Sequence, residues 1–188
     1  MDYQMLVNKE HGLSEDFVPS NLVSVDTKYK SGVKLEAITY ENWLKLKEYV
    51  KTSGYEIDAE SCYRSYDYQA KILKEIIDEK GSDYAYKVVA LPGHSEHQTG
   101  LAIDYCVVKD GKFLIEEDLY NNDVCTFVNS IAYKFGFILR YPKGKENITG
   151  YNYEPWHLRY VGIDLATYLY VNKVTLDEYY KEESNEKN

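Results

Sequence analysis

Sulfur is scarce in this chain. Its three cysteines, Cys62, Cys106 and Cys125, lie far apart with no C-x-x-C pair, which excludes both an even disulfide framework and a zinc ribbon. They read as reduced thiols. Long apolar runs are missing too: none approaches the roughly 18 residues of a membrane-spanning helix. The opening MDYQMLVNKEHGLSEDF carries an acid at position 2 and no apolar signal core, so a cytoplasmic location is the expectation, with an exported protein whose leader has been removed as the alternative. Positive charge is in deficit, with 22 Lys and Arg against 31 Asp and Glu and a net charge of −9. That balance excludes a nucleic-acid surface, which needs clustered basic residues. There is no internal repeat, no Pro-rich linker, no P-loop and no G-x-G-x-x-G.

What is present suits a soluble globular chain, 44% apolar and 28% charged. A length of 188 residues buries one sizeable core, so residues 1–180 are read as one domain. The polar end KEESNEKN, residues 181–188, is read as a fraying tail. Twenty-one tyrosines fill half-buried positions or line a peptide or sugar groove, since each pairs an apolar ring with a hydroxyl.

Periodicity supplies the elements. TYENWLKLKEYVKTSG spaces Tyr40, Trp43, Leu46 and Val50 as one helical face, with Thr39 as cap and Gly54 as stop. YEIDAESCYRS reads as a strand. In SYDYQAKILKEIIDEKG, Ser65 caps a helix whose apolar face is Tyr68, Ile72, Leu73, Ile76 and Ile77, with Asp67 in the first turn and Gly81 closing it. Arg64 therefore sits at a strand-to-helix junction. GLAIDYCVV and KFLIEE flank Asp110-Gly111, a strong hairpin signal. Asn121 or Asn122 caps a helix striped by Val124, Phe127, Val128, Ile131 and Phe135 and stopped at Gly136. FILRYP and WHLRYVG follow as strands. Strands joined mostly by hairpins and loops, with helices before and between them, predict an α+β fold: a small antiparallel sheet flanked by helices.

The stretch PGHSEHQTGLAIDY holds two of the four histidines. His97 and Asp104 carry donor types that zinc accepts. On one helix they would stand about 10 Å apart at 1.5 Å rise per residue, so the chain must fold back between them. Gly100 permits that turn, and strand alternation would aim Asp104 and Ala102 at one face. A third ligand must come from elsewhere; apart from His11 and His94 only His157 remains. It lies in YEPWHLRYVG, three residues after Glu154, and Pro155 holds Glu154 extended. A His, an Asp, a second His and a nearby free Glu are the parts of a zinc hydrolase.

These residues resemble a known family. SEHQTGLAID fits S-x-H-x-x-G-x-A-x-D, and EPWH fits E-x-x-H, of the zinc D-alanyl-D-alanine peptidases that share a fold with the hedgehog signalling domain. LVNKEHGL, YRSYDYQ, VALPGHSEHQTGLAID, GFILRYP and ITGYNYEPWHLRYVG look, in order over residues 6–180, like the vancomycin-resistance D,D-carboxypeptidases and bifunctional D,D-dipeptidase/D,D-carboxypeptidases. The resemblance implies one zinc ion on His97, Asp104 and His157, Glu154 as catalytic base and Arg64 as transition-state stabiliser. It implies Ser95 and Gln69 as donors to the substrate carboxylate, with Trp156 walling the pocket; His94 and His11 fall outside the site. Cys62 stands where the family motif has Gly, and a side chain there is expected to narrow the pocket beside Arg64. The implied substrates are D-Ala-D-Ala dipeptide or D-Ala-terminated peptidoglycan precursors, in glycopeptide resistance, with no obligatory protein partner. The alternatives are an L,D-carboxypeptidase or cell-wall endopeptidase of the same fold, and a non-catalytic zinc-binding module, which would need neither Glu154 nor Arg64.

Overall fold

A computed structural model describes residues 1–186. Two short strands, β1 (Leu22–Ser24) and β2 (Lys34–Glu36), pair antiparallel, and β2 runs directly into helix α1 (Ala37–Thr52). The cap of α1 is Glu36, not Thr39. The Glu36 carboxylate accepts from the Thr39 N–H at 3.0 Å and is itself buried, so a strand-end acid satisfies the free amide and Thr39 lies within the first turn. Trp43, Leu46 and Val50 are fully buried on the core face.

Strand β3 (Ile57–Ser61) leads through Arg64 into α2 (Tyr66–Lys80), where Ser65 Oγ accepts from the Tyr68 N–H at 3.2 Å. Ser65→Ala is expected to cost about 1 kcal/mol of unfolding free energy, the usual value of an N-cap. Denaturant titration checks it; no measurable loss would mean the cap does not fix this end of α2. The face expected of α2 holds at Ile72, Leu73, Ile76 and Ile77, which are buried or half-buried, and fails at Tyr68. Gln69 and Leu73 are buried while Tyr68 is 43% exposed, because Gln69, Ile72 and Ile76 line a cleft. Helix α3 (Ser82–Val88), absent from the sequence reading, follows.

Strand β4 (Ala102–Lys109) turns through Asp110 and Gly111, both at positive φ, into β5 (Lys112–Leu114). Asn122 caps α4 (Asp123–Ile131), accepting from the Val124 N–H at 2.9 Å, and a 3₁₀ turn carries the chain to Gly136 and β6 (Phe137–Leu139). Gly136 is required: its φ is +83°, and a Cβ there would lie 2.5 Å from the Tyr160 ring. Helix α5 (Glu146–Thr149), strand β7 (His157–Tyr160) and helices α6 (Ile163–Asn172) and α7 (Leu176–Glu186) complete the described chain. The tail expected from residue 181 is helical through Glu186; its last two residues lie outside the described ones.

The main sheet has the order β3-β4-β7-β6, with β5 on β4, and every pairing is antiparallel. The fold is α+β, as expected. Alternation divides each strand: Leu101, Ile103, Tyr105, Leu158 and Tyr160 face the core with Trp43, Leu46, Val128 and Phe137. Ala102, Asp104, His157 and Arg159 take the opposite phase.

Candidate active site

Two neighbouring strands and one turn build the site. Asp104 on β4 is directly opposite His157 on β7 in the sheet register, and residues so paired present their side chains on the same face. His97 arrives from a 3₁₀ turn (Glu96–Thr99) that Gly100 ends at φ +68°. The fold-back demanded of Gly100 is present.

One nitrogen or oxygen from each of His97, Asp104 and His157 lies within 4.8 Å of the others. His97 Nδ1 is 2.6 Å from the Cys62 carbonyl. That oxygen can only accept, so Nδ1 carries the proton and Nε2 offers a lone pair. Nε2 stands 3.0 Å from Asp104 Oδ2, and His157 Nδ1 stands 2.9 Å from Asp104 Oδ1. Yet His97 Nε2 and Asp104 Oδ1 are buried without an aligned hydrogen bond. Close but unaligned donor atoms are what ligands converging on a shared point make, and two imidazoles plus one carboxylate suit zinc with a position to spare.

At His97 and Asp104 the charges agree with that use. Burial, aided by the Arg64 guanidinium, lowers His97 to about 4, keeping it neutral. Burial opposes ionisation of Asp104, but the two histidines outweigh it and hold the carboxyl well below its usual range. For His157 burial is overcome: the flanking Asp104 and Glu96 raise it to about 9, so in the metal-free site it carries a second proton that a metal on Nδ1 would displace. Glu154 Oε2 is 3.7 Å from His157 Nδ1, and burial, with Asp104 nearby, pushes its carboxyl up to about 7.

Arg64, held by its N–H to the His97 carbonyl at 3.1 Å, places Nη2 3.3 Å from Asp104 Oδ2. Its buried Nε has no partner. All eight residues singled out from the sequence, Arg64, Gln69, Ser95, His97, Asp104, Glu154, Trp156 and His157, line one cavity of about 330 Å³. Their tasks differ from those expected in one case. Gln69 accepts from Arg64 Nη1 at 3.1 Å and donates to the Ala90 carbonyl at 2.9 Å, so its amide props the guanidinium. Trp156 walls the cavity with Tyr120, ring centroids 5.5 Å apart. His94 and His11 turn instead to Asn8.

The side chain at position 62 does not narrow the pocket. Cys62, just past the end of β3, packs its side chain into the core and offers its carbonyl to His97 Nδ1.

The sequence reading missed Glu96. Its buried Oε1 accepts from Arg140 Nε and Arg159 Nη1, both at 2.7 Å, and its Oε2 is 3.3 Å from His157 Nε2. Burial disfavours this carboxylate, but the two arginines and His157 outweigh it and keep it ionised. A signal was present: Arg159 is two residues beyond His157 in an apolar strand, hence on the same face.

Residues 32–163 match the family described as VanY, D-alanyl-D-alanine carboxypeptidase. YodJ of Bacillus subtilis (strain 168) is 44% identical over 181 residues, 94% of this chain and 66% of that protein; this chain thus spans just under two thirds of that relative. Among solved structures, the LD-carboxypeptidase LdcB superposes with a TM-score of 0.86 at 40% identity, covering 94% of this chain and 84% of that one. A variant of the vancomycin-resistance D,D-pentapeptidase VanY from a VanB-type cassette, in complex with Zn(II), superposes with a TM-score of 0.81 at 31% identity, covering 95% and 99%. On the extent of these matches, the chain belongs to the VanY family of D-alanyl-D-alanine carboxypeptidases.

Proposed function

We propose that the chain is a zinc-dependent peptidase that releases the C-terminal D-alanine of peptidoglycan stem peptides. The observation that carries this reading is the convergence of His97, Asp104 and His157 beside Glu154 and Arg64 in one cavity. A zinc ion held by the three ligands would supply Lewis acidity, acidifying water and polarising the scissile carbonyl. Glu154, tuned toward neutrality, takes the proton of the attacking water and passes it to the departing amine of D-alanine. Arg64 sets a fixed cation beside the carbonyl oxygen as negative charge develops there, and Gln69 keeps that cation in place. Ser95, at the cavity wall, has a hydroxyl suited to the terminal carboxylate of the substrate, and Trp156 bounds the space its side chain occupies.

A second reading keeps the chemistry and changes the bond: an L,D-carboxypeptidase, favoured by the 40% identity to LdcB. Incubation with a pentapeptide precursor, a tetrapeptide and D-Ala-D-Ala, each with and without chelator, separates the two. The D,D reading expects chelator-sensitive D-alanine release from the pentapeptide; release from the tetrapeptide alone selects the L,D reading and removes a role in glycopeptide resistance. No chelator-sensitive release from any of the three sinks both.

A further inference from the structure

A ligand histidine must choose which nitrogen faces the metal, and the group behind the ring decides. Behind His157 stands Glu96. Its Oε1 is occupied by two guanidinium donors, Arg140 Nε and Arg159 Nη1. Oε2 is left for His157 Nε2. A carboxylate only accepts, so Nε2 keeps its proton and Nδ1 is the nitrogen turned toward Asp104 and His97.

The carboxylate is itself anchored. Arg140 forks onto Asp177 of α7 through Nη1 and Nη2, and Asp177 Oδ1 also accepts from Asn8 Nδ2 at 2.9 Å. Arg159 Nη2 donates to the carbonyls of Met5, at 2.7 Å, and Tyr3, at 3.2 Å. Two buried cations and two carboxylates balance in charge, which a buried network needs in order to persist. The two ends of the chain therefore grip the group that orients one ligand.

We infer that Glu96 is the positioning residue that selects His157 Nδ1 for the metal, held in place by Arg140 and Arg159. The inference rests on the zinc reading of the site. In Glu96→Gln the guanidinium groups claim the one remaining oxygen, so the amide NH2 meets His157 Nε2–H. Two donors then oppose each other, and the ring relieves this by turning or by moving its proton to Nδ1, which cannot ligate.

Zinc affinity, measured by competition with a chromophoric chelator, is expected to fall about 10- to 100-fold in Glu96→Gln, with the far-ultraviolet circular dichroism of the wild type. A folded variant with the wild-type zinc Kd overturns the inference. A second measurement needs no variant and covers the case in which Glu96→Gln does not fold. Long-range proton–nitrogen correlation spectra of the zinc-loaded wild type are expected to show His157 protonated at Nε2 and His97 protonated at Nδ1. A His157 protonated at Nδ1 overturns the inference while leaving the zinc site intact. Wild-type protein that takes up no zinc overturns the zinc reading itself, and this inference with it.

Discussion

Glu154→Gln is expected to lower kcat for D-alanine release by about 10³-fold, the middle of the range for a lost general acid–base. KM should stay within a few-fold. The substitution keeps the size of the side chain and the Glu154 backbone contacts to Tyr141 and His157, but removes a carboxylate that stands 3.7 Å from a ligand nitrogen. Because the base works ionised, wild-type activity should fall as pH drops far enough to protonate Glu154, and the residual activity of Glu154→Gln should lose this limb; in the metal-free protein burial raises this carboxyl to about 7. The sign for stability is opposite. A carboxyl whose folded pKa lies above its unfolded value contributes stability below about 4.5 that is lost as pH rises through 7. Metal-free Glu154→Gln should therefore melt at a higher temperature than metal-free wild type at pH 8, and not at pH 4. Steady-state kinetics across pH and thermal melts check both halves; kcat within tenfold of wild type would remove Glu154 from the mechanism.

Arg64→Ala is expected to reduce kcat by about 10²- to 10³-fold, the effect of deleting one donor to a developing oxyanion. The guanidinium is partly buried, and its Nη1 and Nη2 each keep an N–H beyond the bonds to Gln69 and Asp104. Arg64→Lys should recover little, because a point charge cannot reproduce the fork that engages Gln69 and Asp104 together. Gln69→Ala should give the same kind of defect at smaller size, by loosening the guanidinium. If the loss in Arg64→Ala falls on KM with kcat preserved, the residue binds ground state and transition state equally and the assignment fails.

The cluster was legible because its residue types are rare here. With four histidines in the chain few sets could form, the motif resemblance paired His97 with His157, and the alternation of GLAID put Asp104 on the face where the structure has it. Glu96 was legible only indirectly, through Arg159 on the His157 face: beside a ligand histidine and among 31 acids, it reads by itself as a solvated charge. Only the folded sheet brings Arg140 and Arg159 onto it. Capping was half legible. Ser65 and Asn122 sit where short polar caps are expected, whereas Glu36 acts from the end of a strand, a position no local pattern marks. The face of α2 was misjudged at Tyr68 because periodicity cannot tell a core from a cleft, and the cleft takes Gln69. Helices α6 and α7 follow the last motif, and the reading stopped with the motifs.

The opposition of Asp104 and His157 across the β4–β7 ladder has one more consequence. The gap between these two donors is set by a hydrogen-bond step, not by the length of chain joining them. Lengthening or shortening a surface connection that intervenes, such as the Asp110–Gly111 turn, should leave the metal donors where they are. A slip of one rung would carry His157 and Arg159 together to the opposite face. The site is thus indifferent to insertion and intolerant of misregistration, so related chains are free to differ in length while keeping one chemistry.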